Sequence, residues 1–441
     1  MMTILDSATA VHFIGIGGSG VSAIARLMLH RGARVSGSDL HESATLDELR
    51  TAGASIFIGH RAGNLPPDVD LVVYTIAAGD ENPELVKARE LGVACRSYPE
   101  ALGIVSEGMF TIAVSGTHGK TTTTAMIGKL LQDAGLDPTV IVGSPMLHAK
   151  SNLVVGKSKY LVAEACEYRR SFLNLKPNIL VITNIDRDHL DYYKDLADIQ
   201  SAFVELASRL GPRGILIVPT AHPNLAPIVA TSVAMVVDYE ESARMTNRLK
   251  LRLPGAHNQL NAQAAATVGT ALKISPQVIK RSLRSFRGTK RRLEYKGHTP
   301  EGVVIYDDYG HAPAEVRATL SALRELFPLK HLTVVFQPHL FSRTKLLLGE
   351  FAGSFVEADH VIVADIYAAR EMEDTSIHAK DLVSAINART PSRALYMSDF
   401  KTIPALLKNG ELRTDIFLTL GAGSIGMLAD ALVLGGIPTM G

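Results

Sequence analysis

Short runs of β-branched and aliphatic residues alternate with longer helical stretches along the chain. Among the runs are Val11–Ile16, Leu71–Ile76, Phe110–Val114, Asn178–Ile182, Gly214–Val218, Leu332–Phe336, His360–Ala364 and Asp415–Leu420. Such alternation predicts an α/β protein, with parallel sheets covered by helices on both faces. No repeat with a period of about 20–50 residues is present, which argues against a solenoid.

The 441 residues are too many for one core, because single domains usually hold about 100–200 residues. Tyr98–Phe110 closes one α/β unit ahead of a new strand, which sets a boundary near Glu107. A second unit runs through Phe286, and the basic segment Arg287–Arg292 precedes another strand at Gly302–Asp307. The second boundary falls near Gly288–Thr289. The expected domains are residues 1–107, 108–288 and 289–441, each of ordinary size.

Composition narrows the possibilities. Lys and Arg total 45 against 44 for Asp and Glu, so nothing points to a nucleic-acid or membrane-surface partner. Two cysteines, Cys95 and Cys166, make no disulfide framework and fit a reducing cytoplasm. Cys166 reads as a small packed residue. Residues 1–10 lack the pattern of a signal peptide, and no apolar run reaches the roughly 18 residues of a membrane span. The apolar segment Ala431–Met440 is short and interrupted by Gly and Pro.

Two glycine-rich loops carry the chemistry. Phe110–Val114 leads into Gly116-Thr-His-Gly-Lys-Thr121 and a Thr-rich helix start. Backbone N–H groups of such a loop close around phosphate oxygens, Lys120 adds a cation, and the Thr121 hydroxyl reaches a magnesium ion. Val114 stands where the full Walker pattern has Gly. The alternative, a glycine turn without ligand, leaves the strand–loop–helix order unexplained. Glu164 ends the apolar run Tyr160–Ala163, and Thr183-Asn-Ile-Asp-Arg-Asp-His189 follows another strand. Both then lie at the ligand edge of a parallel sheet. A lone histidine is more often a hydrogen-bonded structural residue, but beside this loop and Glu164 the metal-ligand reading of His189 prevails. Asp188 reads as structural. The second loop, Gly15-Ile-Gly17-Gly18-Ser19-Gly20, follows a strand and has Asp39 at the end of the next. It resembles a dinucleotide fingerprint, and says that a diphosphate can sit there without saying which.

These segments, with Pro254-Gly-x-His-Asn258, Asn261 and Arg291-Arg292, resemble the Mur ligase superfamily. Gly15-Ile-Gly-Gly-Ser-Gly20, Asp307-Asp-Tyr-Gly-His311, Phe336-Gln-Pro-His339-x-x-Ser-Arg343-Thr and Asp365-Ile-Tyr-Ala-Ala resemble the branch of that superfamily that acts on UDP-N-acetylmuramate and L-alanine. The likeness runs from Val11 to Gly426 in the family's order. It departs at Cys166–Phe172, Ala312, Leu340 and Ser424.

The resemblance implies a Rossmann-like first domain, a P-loop ATPase-like parallel sheet in the second, and a Rossmann-like third. It implies ATP and Mg2+ as cofactors. Gly116, Thr117, His118, Gly119, Lys120, Thr121 and Thr122 would bind the ATP phosphates. Asn258 and Asn261 would contact adenine, Asp308 the ribose and Arg292 the phosphates. Thr121, Glu164 and His189 would hold metal. Gly15, Gly17, Gly18, Ser19, Gly20 and Asp39 would take the UDP-sugar. Lys120, Glu164, His189, His339 and Arg343 would be catalytic. Two rivals stand beside this reading: a recycling ligase that adds a tripeptide to the same sugar, and a nicotinamide oxidoreductase built on Gly15–Gly20.

Overall fold

The fold was obtained as a computed structural model that describes residues 3–244, 249–369 and 371–434. The end of the apolar segment Ala431–Met440, from 435 onward, lies outside the described residues. Three α/β sheets follow one another along the chain. The chain forms two compact units, one of residues 1–251 and 260–287, the other of 252–259 and 288–440.

The first unit holds two sheets. One has five parallel strands in the order Ser55–Ile58, Arg34–Asp39, Ala10–Ile14, Leu71–Tyr74, Ala94–Ser97. The first strand stops at Ile14 because Gly15 turns at φ +72°. Ile16 stays fully buried, which is why its hydrophobicity extends the expected run past the ladder. The other sheet has seven strands, with Phe110–Ser115 between Ile179–Ile182 and Tyr160–Glu164. Its edge is an antiparallel hairpin, Thr139–Met146 with Ser151–Val154. A connection that short cannot make the crossover a parallel pair needs.

These two sheets are joined physically. The Asn152 side chain, almost wholly buried, donates to Ser19 O at 2.5 Å and to Ser22 Oγ at 3.1 Å. Ser19–His30 is the helix that follows the N-terminal glycine loop. One apolar core runs from Phe13 and Ile24 through Ile141 and Phe172 to Phe203. Beneath the first sheet lies a fully buried pair, with His12 Nε2 3.2 Å from Glu84 Oε2. Glu84 also accepts from Ser38 Oγ, Asn64 Nδ2 and the Arg61 N–H.

The second unit holds a six-stranded sheet in the order Glu294–His298, Val304–Asp308, Ile416–Leu420, Leu332–Phe336, His360–Val363, Ala394–Tyr396. All pairs are parallel except the first. The central strands are buried on both faces, by Val334 and Leu418 on one side and Val335 and Phe417 on the other. Among the described residues, no helix is long and apolar enough to cross a membrane.

Candidate active site

The strand Phe110–Ser115 ends in the loop Gly116–Gly119, and the helix Lys120–Asp133 begins at once. Two glycines allow this. Gly116 sits at φ +126° and Gly119 at φ +83°, where a Cβ is strained. A Cβ on Gly116 would collide with the Thr183 hydroxyl, and one on Gly119 would lie 2.5 Å from Asn261 Oδ1. The segment Thr183–Asp186 forms the floor of the loop. His118 N donates to Asn184 Oδ1 at 2.9 Å, and Thr117 N to Asn184 O at 3.0 Å. The Thr183 hydroxyl and the Asn184 amide both donate to His118 O. The first N–H groups of the following helix have no carbonyl within the helix and carry its positive dipole end.

Charged groups gather at this helix start. Lys120 Nζ donates to Gly116 O at 2.6 Å, Thr117 O at 3.0 Å and Glu167 Oε1 at 2.9 Å. Burial opposes its charge, but Glu167, Cys166 and Glu164 more than offset this and hold its pKa above the usual lysine value. The Thr121 hydroxyl donates to Glu164 Oε1 at 3.0 Å, and Gly143 N to Glu164 Oε2 at 2.7 Å. His189, at φ +52°, has Nε2 3.6 Å from Glu167 Oε1 and 3.9 Å from Asp188 Oδ2. Asp188 Oδ1 accepts the His189 N–H at 2.7 Å, so it does orient this turn. Glu167, Asp188 and His189 each bring a ligand atom within 4.8 Å of the others. Glu167 Oε2 and His189 Nδ1 are buried and make no hydrogen bond. Oxygen donors with one imidazole suit a divalent cation, and orphaned buried atoms call for a partner. Cys166 is exposed rather than packed; it lies two residues past the end of the strand Tyr160–Glu164.

The N-terminal loop lines a separate cavity of about 640 Å³, whose walls include Gly15, Gly17, Gly18, Asp39, His60 and Asn82. Asp39 Oδ2 accepts the Gly17 N–H at 2.8 Å, which fixes the turn. Ser19 and Gly20 begin the helix behind it. A Cβ on Gly20 would lie 2.6 Å from Tyr98 Cε1. Burial raises the Tyr98 phenol above its usual pKa, and Glu164 acts in the same direction.

In the second unit, candidate residues line the C-terminal ends of the strands. His339 Nδ1 lies 3.2 Å from Arg343 Nη1. The His339 ring stacks on Tyr367 at 5.9 Å and meets His311 edge-on at 5.5 Å. Leu340, at φ +71°, is buried and leads into the helix Phe341–Leu346. Asp308 is buried and accepts from Leu293 N and Gly310 N, each at 2.6 Å. Burial raises its carboxyl to about 6 against the opposing pull of Arg292 and these two N–H groups. Arg291 is held by Asp307, Gly421 O and Gly423 O. Arg292 lies over the Tyr309 ring with Nη1 3.9 Å from Glu315. Asn258 donates to Pro254 O at 2.7 Å.

Comparison with known proteins matches three consecutive segments to one family. Residues 10–108 match "Mur ligase family, catalytic domain", 114–247 "Mur ligase middle domain", and 291–423 "Mur ligase, glutamate ligase domain". The chain belongs to the Mur ligase family. It is 40% identical to the UDP-N-acetylmuramate–L-alanine ligase of Clostridium kluyveri, over 94% of this chain and 96% of that one. It is similar in structure to the UDP-N-acetylmuramate–alanine ligase of Thermotoga maritima, with TM-score 0.80 and 28% identity over 96% and 98% of the two chains. The murein peptide ligase of Psychrobacter arcticus shares the fold, with TM-score 0.72 at 23% identity over 98% and 100%. Family membership leaves no place for the oxidoreductase reading.

Within this Mur ligase, Lys120, Thr121, Glu164 and His189 meet around one loop, and Asn261 joins them through Thr123 Oγ1 at 3.1 Å. Gly15, Gly17, Gly18 and Asp39 line their own cavity, while Ser19 and Gly20 do not line it. Asn258, Arg292, Asp308, His339 and Arg343 belong to the second unit. Sequence reasoning passed over Glu167, although its position three residues after Glu164 at a strand's C-terminal end signals the same crevice. Asn152 and Tyr98 carry no sequence signal.

Proposed function

We propose that this Mur ligase joins L-alanine to the carboxylate of UDP-N-acetylmuramate at the expense of ATP, as a step in peptidoglycan precursor synthesis. The observation that carries the reading is the phosphate loop with Lys120 and the Thr121–Glu164 contact, in a chain 40% identical to a ligase of that name. A carboxylate is a poor acyl donor. Transfer of the γ-phosphoryl group of ATP to it gives an acyl phosphate and ADP. The amine of L-alanine then attacks the acyl carbon, and inorganic phosphate leaves.

Both steps concentrate negative charge, so positioned cations and N–H groups supply much of the catalysis. In this reading Gly116–Thr122 hold the phosphates and Lys120 neutralises them. Thr121, Glu164 and His189 would hold Mg2+, which supplies further positive charge when bound. Asn258 and Asn261 contact adenine, Asp308 the ribose and Arg292 the phosphates. Gly15–Gly20 with Asp39 take the UDP-sugar, and His339 and Arg343 face the reacting groups. The domains are residues 1–107, 108–288 and 289–441, and the setting is the cytoplasm.

The test is ADP release with UDP-N-acetylmuramate and a panel of acceptors. L-alanine is expected to support turnover. Turnover with the murein tripeptide and none with L-alanine would replace this reading by the recycling ligase.

A further inference from the structure

Glu167 is shared by groups with opposite demands. It is 3% exposed. Oε1 accepts from Lys120 at 2.9 Å and lies 3.6 Å from His189 Nε2, while Oε2 is without a partner. Lys120 in turn spends all three of its donors on Glu167 and the carbonyls of Gly116 and Thr117. A lysine bonded in this way must leave at least one of those acceptors to reach a phosphate. If it leaves Glu167, a buried carboxylate loses its counter-charge, which is costly unless another cation replaces it.

The replacement has a ready site. A magnesium-sized ion sits about 2.0–2.1 Å from its ligands in an octahedron, so adjacent ligand atoms lie about 2.9 Å apart and opposite ones about 4.1 Å. His189 Nε2 is 3.6 Å from Glu167 and 3.9 Å from Asp188. Side-chain shifts of about 1 Å or less would bring these atoms to those spacings, and all three ligand atoms already lie within 4.8 Å of one another.

We propose that Glu167 exchanges partners: it neutralises Lys120 in the arrangement seen here, and with Asp188 and His189 it holds a divalent cation once Lys120 turns to a phosphate. The inference rests on the nucleotide reading of the loop. It couples the two ligands through one carboxylate, so each strengthens binding of the other. It also gives Glu167 and Asp188 a ligand role beside the Thr121–Glu164 position.

The experiment follows Mn2+ binding to the full chain without nucleotide, by the paramagnetic resonance signal of the free ion. A Glu164→Gln background isolates one position. In that background Lys120→Met frees Glu167, and Mn2+ is expected to bind at least about tenfold tighter, because a nearby positive charge is gone. Adding Glu167→Gln is expected to abolish the gain. If that chain fails to fold, Glu167→Asp serves instead and is expected to keep part of the gain. Mn2+ binding that is unchanged or weaker in Lys120→Met would overturn the exchange. So would a gain that survives Glu167→Gln. A separate titration of the unaltered chain with an ATP analogue and Mg2+ tests the nucleotide reading itself. Failure there would leave the Mn2+ result interpretable on its own.

Discussion

Tyr98 lies so close to Gly20 that a single added methyl group would sit 2.6 Å from its ring carbon Cε1. The third glycine of the fingerprint is therefore a packing requirement. Gly20→Ala is expected to destabilise the first unit by about 1–3 kcal/mol through overpacking and to weaken UDP-sugar binding. Tyr98→Leu in the same chain should relieve part of the loss, so the two changes will be non-additive. Thermal melts of the two single variants and the double variant check this.

Lys120→Ala is expected to lower ATP-driven phosphate release by about a hundredfold to a thousandfold, the scale of removing one key charge-stabilising group. UDP-sugar binding should persist, because Lys120 is no part of the N-terminal cavity. Full activity in this variant would remove the phosphate-loop assignment.

Glu164→Gln keeps an acceptor for the Thr121 hydroxyl or the Gly143 N–H but loses a charge. The expected result is a folded protein that needs at least about tenfold more Mg2+ for half-maximal ADP release. A Mg2+ titration with an unshifted midpoint would exclude Glu164 from metal binding.

Burial pushes the Glu84 carboxyl upward. Hydrogen bonds from His12, Ser38, Asn64 and the Arg61 N–H more than offset this and hold it below its usual 4.5. A carboxyl lowered on folding adds stability above its unfolded value and loses it as pH falls through the folded one. Melting temperature should therefore drop as pH falls below about 4.5, and Glu84→Gln should flatten that drop. Glu84→Ala leaves His12 Nε2 buried without its carboxylate partner, although Nδ1 keeps Ser36, and is expected to cost about 1–3 kcal/mol at neutral pH.

The α/β class and the central strands were legible in the sequence because runs such as Leu332–Phe336 are buried on both faces and read as continuous hydrophobic segments. The antiparallel edges were not. Glu294–His298 is largely polar, and the Thr139–Val154 hairpin is distinguished by its short connection rather than by composition. The loop Gly116–Gly119 was legible because backbone conformation forces glycine at positions 116 and 119. Glu167 was harder to see, since its role comes from the Lys120 and His189 side chains brought to it by separate elements. The contact of Asn152 with Ser19 links residues 133 positions apart and leaves no periodic trace.

That last contact has a kinetic consequence. Asn152 fastens the start of the sugar-side helix to a hairpin whose opposite strand, through Gly143 N, restrains Glu164. Both glycine loops are thus tied to one hairpin. Cutting this tie with Asn152→Ala should then misalign the two bound substrates while leaving each loop intact, a defect read as lower turnover at saturating substrates.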